Sequence, residues 1–338
     1  MKDGKGPEGI RIRDIPELNP GPGEIKIRIH ACGICGTDLH ILKDEIEVNP
    51  PVVMGHEYAG TVIAVGEGVT GFSVGDKAVS MTTVYSCGTC IYCHEGNFHL
   101  CETRKALGYL PDKGGFAETI VVPAAKAFRV AENVTLSEAA LSEPLACVVH
   151  SIVELGHIRA GDRVFISGPG TIGLLALQVA TSSGGICVIA GTEVDRERLL
   201  LAHHLGAIDT ILVDSENVTD RCMQLTDGRG FDVAIECAGA ARSADTCLRV
   251  LKKTGRYIQI GLYGKPITFD HDLALKREIT LTNGFTSTKT SWERALRLVQ
   301  HGRIQVKPLI SAELPLEQWQ AGFAKALDKE GCKVLLML

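Results

Sequence analysis

Aromatic residues are scarce, at 5% of the 338-residue chain with only two tryptophans. That scarcity removes the stacking platforms on which single-stranded nucleic acid is held. Basic charge is not in excess either. Lys and Arg number 35 against 40 Asp and Glu, a net charge of -5, so no cationic stripe faces a phosphate backbone and nucleic acid is not an expected partner. No apolar run approaches the ~18–20 residues of a membrane helix. The opening MKDGKGPEGI lacks the charged-then-apolar order of a secretion signal. Membrane and export are therefore not expected, and a cytoplasmic protein is. Internal repeats and low-complexity segments are absent.

Cysteine, by contrast, is plentiful at 12 residues. In a reducing compartment that number points to metal binding or burial and not to a disulfide framework. Six of them, Cys147, Cys187, Cys222, Cys237, Cys247 and Cys332, are scattered in apolar or helical surroundings and read as small hydrophobes. The length exceeds what one core covers, so two domains are expected. The first ~145 residues read as short strands cut by glycine turns, the texture of a barrel or sandwich. In GEIKIRIHACG, the alternation puts Ile25, Ile27 and Ile29 on one face. From about Leu155 the rhythm changes to apolar runs, RVFIS, ICVIA, TILVD, DVAIE, RYIQI and EITLT, separated by helical stretches. Six such strands fit an α/β, doubly wound parallel sheet of the Rossmann kind.

After the first of those strands stands Gly168-Pro169-Gly170-Thr171-Ile172-Gly173, a full G-x-G-x-x-G that opens a helix. Its glycines allow a tight turn and close backbone approach to a pyrophosphate at the helix N-terminus. Glu193, at the end of the second strand, suits the adenosine ribose hydroxyls and favours NAD. Arg196 and Arg198 follow, and an arginine there would accept a 2′-phosphate, so NADP stays open.

Cys87, Cys90, Cys93 and Cys101 fall within fifteen residues and supply four thiolates, the set that closes a tetrahedral zinc site with no open position. Such a site is structural. His94 and His99 share the loop as lesser candidates. A second group, in CGICGTDLH and MGHEYAG, offers a thiolate (Cys35), an imidazole (His56) and a carboxylate (Glu57). Three firm ligands with one free position are what a catalytic zinc requires. Glu143, in LSEPLACVVH, is a fourth candidate that would bind the metal directly or hold its water. Cys32 and Cys35 also form a C-x-x-C, but no thioredoxin-like βαβ pattern surrounds it.

In order, CGICGTDLH, GHE, the four-cysteine loop, EPL and GPGTIG resemble the zinc-dependent medium-chain dehydrogenases, over nearly the whole chain. Within that family the chain is most similar to the branch of sorbitol (L-iditol), 2,3-butanediol and L-threonine 3-dehydrogenases. The resemblance implies a GroES-like β-barrel catalytic domain, residues 1–147 with 288–338, carrying two zinc ions. It implies a Rossmann domain over 148–287, with the active site in the cleft against it. It also implies Thr37 and His40 as a proton relay, Asp38 as the carboxylate that orients the ligand histidine, and a homotetramer. The implied activity is NAD(P)-dependent oxidation of a secondary alcohol of a polyol or sugar alcohol, with L-threonine and 2,3-butanediol as alternative substrates. From a different class, a zinc-stabilised binding module is the competing expectation. Two departures stand out. Ser287-Thr288 replace the Arg-Tyr pair usual in the sorbitol enzymes, and the extended first strand of many members is missing, so a shortened start is expected.

Overall fold

A computed structural model describes residues 1–338, with fifteen strands numbered β1 to β15 in chain order. None of its helices is long and apolar enough to cross a membrane. The chain forms two compact units. One comprises Met1–Ala146, Thr286–Gln300 and Ile310–Leu338, the other Cys147–Phe285 and His301–Leu309.

The first unit is built on β1 (Glu24–Gly33) and β2 (Glu57–Val65), followed by β3 (Lys77–Ser80), the short pair β4 (Thr83–Tyr85) and β5 (Lys105–Ala106), β6 (Thr119–Pro123) and β7 (Ala127–Arg129). The chain's end returns β14 (Ile310–Pro315) and β15 (Lys333–Met337) to the same sheet, whose order is β14-β15-β1-β2-β3-β7, with β6 also on β1. The period-2 pattern of β1 explains its place. Ile25, Ile27 and Ile29 are buried in the barrel core with Val62, Ile120 and Val122. Arg28 and His30 face outward. Along one side β1 pairs with β2; along the other it pairs first with β6 through residues 24–28 and then with β15 through residues 31–33. A register shift against β2 falls between Ile29 and Ala31, where the partner changes, which is the place a bulge bends a strand in a barrel wall.

That register positions the chemistry. Gly33 at the end of β1 lies opposite both Glu57, which opens β2, and Leu335 of β15. Residues just beyond those three points are thereby drawn to one spot.

The second unit is a six-stranded parallel sheet. Its strands are β8 (Arg163–Ser167), β9 (Ile186–Gly191), β10 (Asp209–Leu212), β11 (Phe231–Glu236), β12 (Leu251–Gln259) and β13 (Thr280–Asn283), in the order β10-β9-β8-β11-β12-β13. Strand order reverses between β8 and β11, the switch point outside whose carboxyl ends ligands bind in such folds. The central strands are apolar because both their faces are covered: Val164, Phe165 and Ile166 of β8 are fully buried, as are Val233, Ala234 and Ile235 of β11.

The expected assignment of 288–338 to a single domain needs one correction. His301–Leu309 belongs with the parallel sheet unit. Gln178, in the helix Thr171–Ser182, holds it in backbone fashion: its Nε2 donates to the Gln305 carbonyl at 3.1 Å and its Oε1 accepts the Gln305 N–H at 2.7 Å. Ile304 and Val306 on either side are buried.

Candidate functional site

Cys35 caps the helix Gly36–Leu42 immediately after β1, and His56 stands one residue before β2. The Gly33–Glu57 register therefore brings Cys35, His56 and Glu57 together, with ligand atoms all within 4.8 Å of one another. Gly33 leaves room for the site, since a Cβ there would stand 2.3 Å from Glu57 Oε2 and displace that carboxylate. Asp38 is fully buried and fixes both arms of the site. One of its oxygens accepts the Cys35 N–H at 3.0 Å and the other the Gly55 N–H at 3.2 Å. Glu143 approaches from the helix Ser142–Val149, buried, and its Oε1 accepts the Thr82 hydroxyl at 2.7 Å.

The charge balance suits a cation. Burial opposes a charged His56, but Cys35, Asp38 and Glu143 outweigh it, and the imidazole is held well above its ordinary pKa. A soft thiolate, an imidazole and a carboxylate among buried negative groups make a donor set that fits zinc. Cys32 takes no part. It lies in the barrel core, where burial keeps its thiol protonated.

Lys333, which no local sequence signal picks out, completes this site. Its Nζ donates to Glu57 Oε2 at 2.6 Å and to the Ile34 carbonyl at 2.9 Å, with both side chains almost wholly buried. One oxygen of Glu57 is thus committed to an ammonium group.

Thr37 and His40 lie three apart on the helix Gly36–Leu42, the spacing that shares one face. His40 Nδ1 is 2.6 Å from Glu45 Oε2.

The four cysteines converge as well, their sulfurs all within 4.8 Å. The Cys87 and Cys93 sulfurs are 4.0 Å apart. That is far beyond a disulfide's ~2.05 Å and near the ~3.8 Å between thiolates on a tetrahedral zinc with Zn–S of ~2.3 Å. Cys90 N–H donates to Cys87 Sγ and Cys87 N–H to Cys101 Sγ, both at 3.3 Å. With Thr89 as the larger influence, such donors pull the Cys87 thiol down to about 5. This loop carries only the four-residue helix Ile91–His94 and the turn Phe98–Leu100, so four thiolates on zinc fit it as a staple. His94 and His99 are outside the sulfur group.

In the second unit, Gly168 adopts φ +100°, and a Cβ there would lie 2.9 Å from Ala238. A Cβ on Gly173 would stand 1.8 Å from the Gly168 carbonyl oxygen, whereas one on Gly170 would meet nothing within 4 Å. The turn is therefore packed on its inner side and open on its outer side, at the N-terminus of Thr171–Ser182, where Gly170 offers no side-chain cap. Thr171 and Ile172 form the first turn of that helix. A pyrophosphate fits such a cradle.

Glu193 follows β9 and opens a short turn, exposed. Arg196 binds it in bidentate fashion at 2.8 and 2.9 Å, holding its carboxyl below the usual range. Asp214 accepts the Glu193 N–H at 2.6 Å. Arg198 turns inward instead, to Asp195 at 2.9 Å, both largely buried. Ser287 and Thr288 serve the fold: Ser287 accepts the Trp292 indole N–H at 2.9 Å, and Thr288 Oγ1 accepts the Ser291 N–H at 3.0 Å.

Family models for the alcohol dehydrogenase GroES-like domain and for zinc-binding dehydrogenase match residues 21–132 and 171–301. A sorbitol dehydrogenase of Halalkalibacterium halodurans is 38% identical over 340 residues, covering 99% of this chain and 98% of that one. An L-threonine 3-dehydrogenase of Pyrococcus horikoshii is 36% identical over 345 residues, covering 100% and 97%. Among solved structures, a zinc-binding dehydrogenase from Sinorhizobium meliloti bound to NADP superposes with a TM-score of 0.88 at 31% identity, covering 96% of this chain and 95% of that one.

Proposed function

The chain belongs to the zinc-dependent medium-chain dehydrogenase family, in its polyol and threonine dehydrogenase-like branch, and on that premise we propose that it oxidises a secondary alcohol of a polyol or sugar alcohol to the ketone with NAD. The observation that carries this reading is the convergence of Cys35, His56 and Glu57 within 4.8 Å in a buried, negatively charged setting.

Cys35, His56 and Glu57 would hold the catalytic zinc, with Glu143 beside it, and Cys87, Cys90, Cys93 and Cys101 a second, structural zinc. Bound there, zinc is a Lewis acid toward an alcohol oxygen, and the nicotinamide is a hydride acceptor. The protein's own part is position and proton transfer. Asp38 locks the backbone at Cys35 and Gly55, and Lys333 holds one oxygen of Glu57. Thr37 Oγ accepts the substrate hydroxyl proton as it passes its own hydroxyl proton on toward His40. The Glu45 carboxylate holds a proton on His40 Nδ1, which leaves Nε2 as the basic nitrogen that receives the relayed proton and exchanges it with solvent.

Glu193 supports NAD over NADP: its carboxylate stands just beyond the end of β9 and engages Arg196, while Arg198 is taken up by Asp195. The 38% identity to a sorbitol enzyme, against 36% to an L-threonine enzyme, supports a polyol. The test is the NADH absorbance of zinc-replete protein with polyols, 2,3-butanediol, sugar acids and L-threonine, each with NAD and with NADP. Turnover of polyols with NAD is expected. Turnover confined to L-threonine or to 2,3-butanediol would replace the polyol reading with that alternative.

A further inference from the structure

At the carboxyl end of β11, Glu236 is completely buried, yet nothing in the chemistry above uses it. Its Oε1 accepts the N–H groups of Ala238 and Gly239, both at 2.9 Å, and lies 2.7 Å from Ser243 Oγ. Ser243 Oγ is in turn 2.7 Å from Ser167 Oγ, at the end of β8. The other carboxylate oxygen, Oε2, is buried without a hydrogen-bond partner and faces Gly261, where a Cβ would stand 2.5 Å from it. An unsatisfied buried carboxylate oxygen is costly, so its retention calls for a reason.

The surroundings supply one. Three loops leave the carboxyl ends of β8, β11 and β12 here, with a glycine at each contact. Gly168 has no room for a Cβ against Ala238, Gly239 none against the Leu262 carbonyl, and Gly261 none against Glu236 and Gly239 N. Main-chain bonds join the same loops: Cys237 N–H donates to the Ser167 carbonyl at 2.9 Å and Gly261 N–H to the Glu236 carbonyl at 3.0 Å. The Glu236 carboxylate is tied to the 237–240 loop directly and to Ser167 through Ser243, its main-chain carbonyl accepts the Gly261 N–H, and it stands at the strand-order reversal.

We propose that Glu236 is a positioning residue of the dinucleotide site, its carboxylate holding the 237–240 loop and, through Ser243, Ser167, so that the loop keeps the Gly168 turn in its binding shape. This rests on the reading of Gly168–Gly173 as the dinucleotide cradle. Without the carboxylate, the N–H groups of Ala238 and Gly239 lose their acceptor and the loop relaxes. Binding then has to order it again, at a cost in affinity.

The test uses zinc-replete protein with NADH and NADPH in calorimetric titrations, beside melting temperatures and steady-state KM values. Relative to wild type, Glu236→Ala is expected to weaken the preferred cofactor about tenfold and Ser243→Ala about threefold. The amide in Glu236→Gln keeps an acceptor oxygen, so that variant should bind within about twofold of wild type. KM for the alcohol should stay unchanged in all three. A lowered melting temperature with unchanged cofactor affinity in Glu236→Ala would overturn the proposal, as would a Gln variant as weak as the Ala one. If Glu236→Ala does not fold, unchanged affinity in Ser243→Ala overturns it. Wild-type protein that binds neither cofactor would remove the dinucleotide reading itself.

Discussion

Lys333 and Glu57 are 276 residues apart, yet they form a buried ion pair inside the candidate catalytic site. Removing one partner of such a pair leaves an uncompensated buried charge. Lys333→Met is therefore expected to cost about 3–5 kcal/mol of stability in metal-free protein. The loss should be smaller in zinc-loaded protein, where the metal faces the orphaned carboxylate, and denaturant unfolding with and without zinc checks both. Cys35→Ser tests the metal reading directly: turnover should fall at least about a hundredfold while NADH affinity in titration stays at the wild-type value. Glu236 gives a pH test. Burial raises its pKa above the ordinary 4.5, and the groups acting on it or feeling its charge, Tyr257, Tyr263, Cys237 and Cys247, are hydroxyls and thiols that stay uncharged at neutral pH. A raised native pKa means the folded state binds more protons than the unfolded one, so this contribution to stability is full below 4.5 and is lost as pH rises through the native pKa. Glu236→Gln, which carries no charge, should gain stability relative to wild type across that rise. Melting temperatures of both proteins from pH 4.5 to 8 measure the drift, and a drift in the opposite direction would refute it.

Elements decide how much of this was legible in advance. The strands of the parallel sheet stand out because its central members are short apolar runs buried on both faces, while the edge strand β13 is largely exposed. Only their ends move, β12 extending back to Leu251 and β10 stopping at Leu212. The glycine turn is legible for the same local reason, since strand, turn and helix are contiguous. Gly173→Ala is expected to cost about 1–3 kcal/mol, because its Cβ would collide with backbone that cannot yield, and to weaken NADH as well; melting and titration read the two effects. The loop 87–101 is legible through its cysteine spacing alone, because it has almost no regular structure of its own. Cys93→Ala should lower bound zinc by one ion per chain and make that loop the first site of limited proteolysis. Metal analysis and mapping of the cleavage site test this. By contrast, the segment 301–309 carries no signal for its unit, since the tie is made by Gln178 across 127 residues.

At the scale of the whole molecule, every candidate metal ligand belongs to the first unit and the dinucleotide turn to the second. A zinc chelator should therefore abolish turnover while NADH affinity in titration is retained. Affinity lost in parallel with activity would contradict that separation. The chain's sequence by itself determined the kinds of chemistry available: four thiolates at zinc spacing, a thiolate, imidazole and carboxylate set, and a glycine turn between strand and helix. These are legible because ligand type and turn geometry depend on residues close together along the chain. Tertiary structure decided which of these groups meet and what stands beside them. The β1 register against β2 and β15 put Lys333 on Glu57, and the crowding of three loops at the switch point left Glu236 with a buried, unpartnered oxygen. Such contacts join residues whose separation in sequence carries no periodicity, so only the packed sheet brings them together.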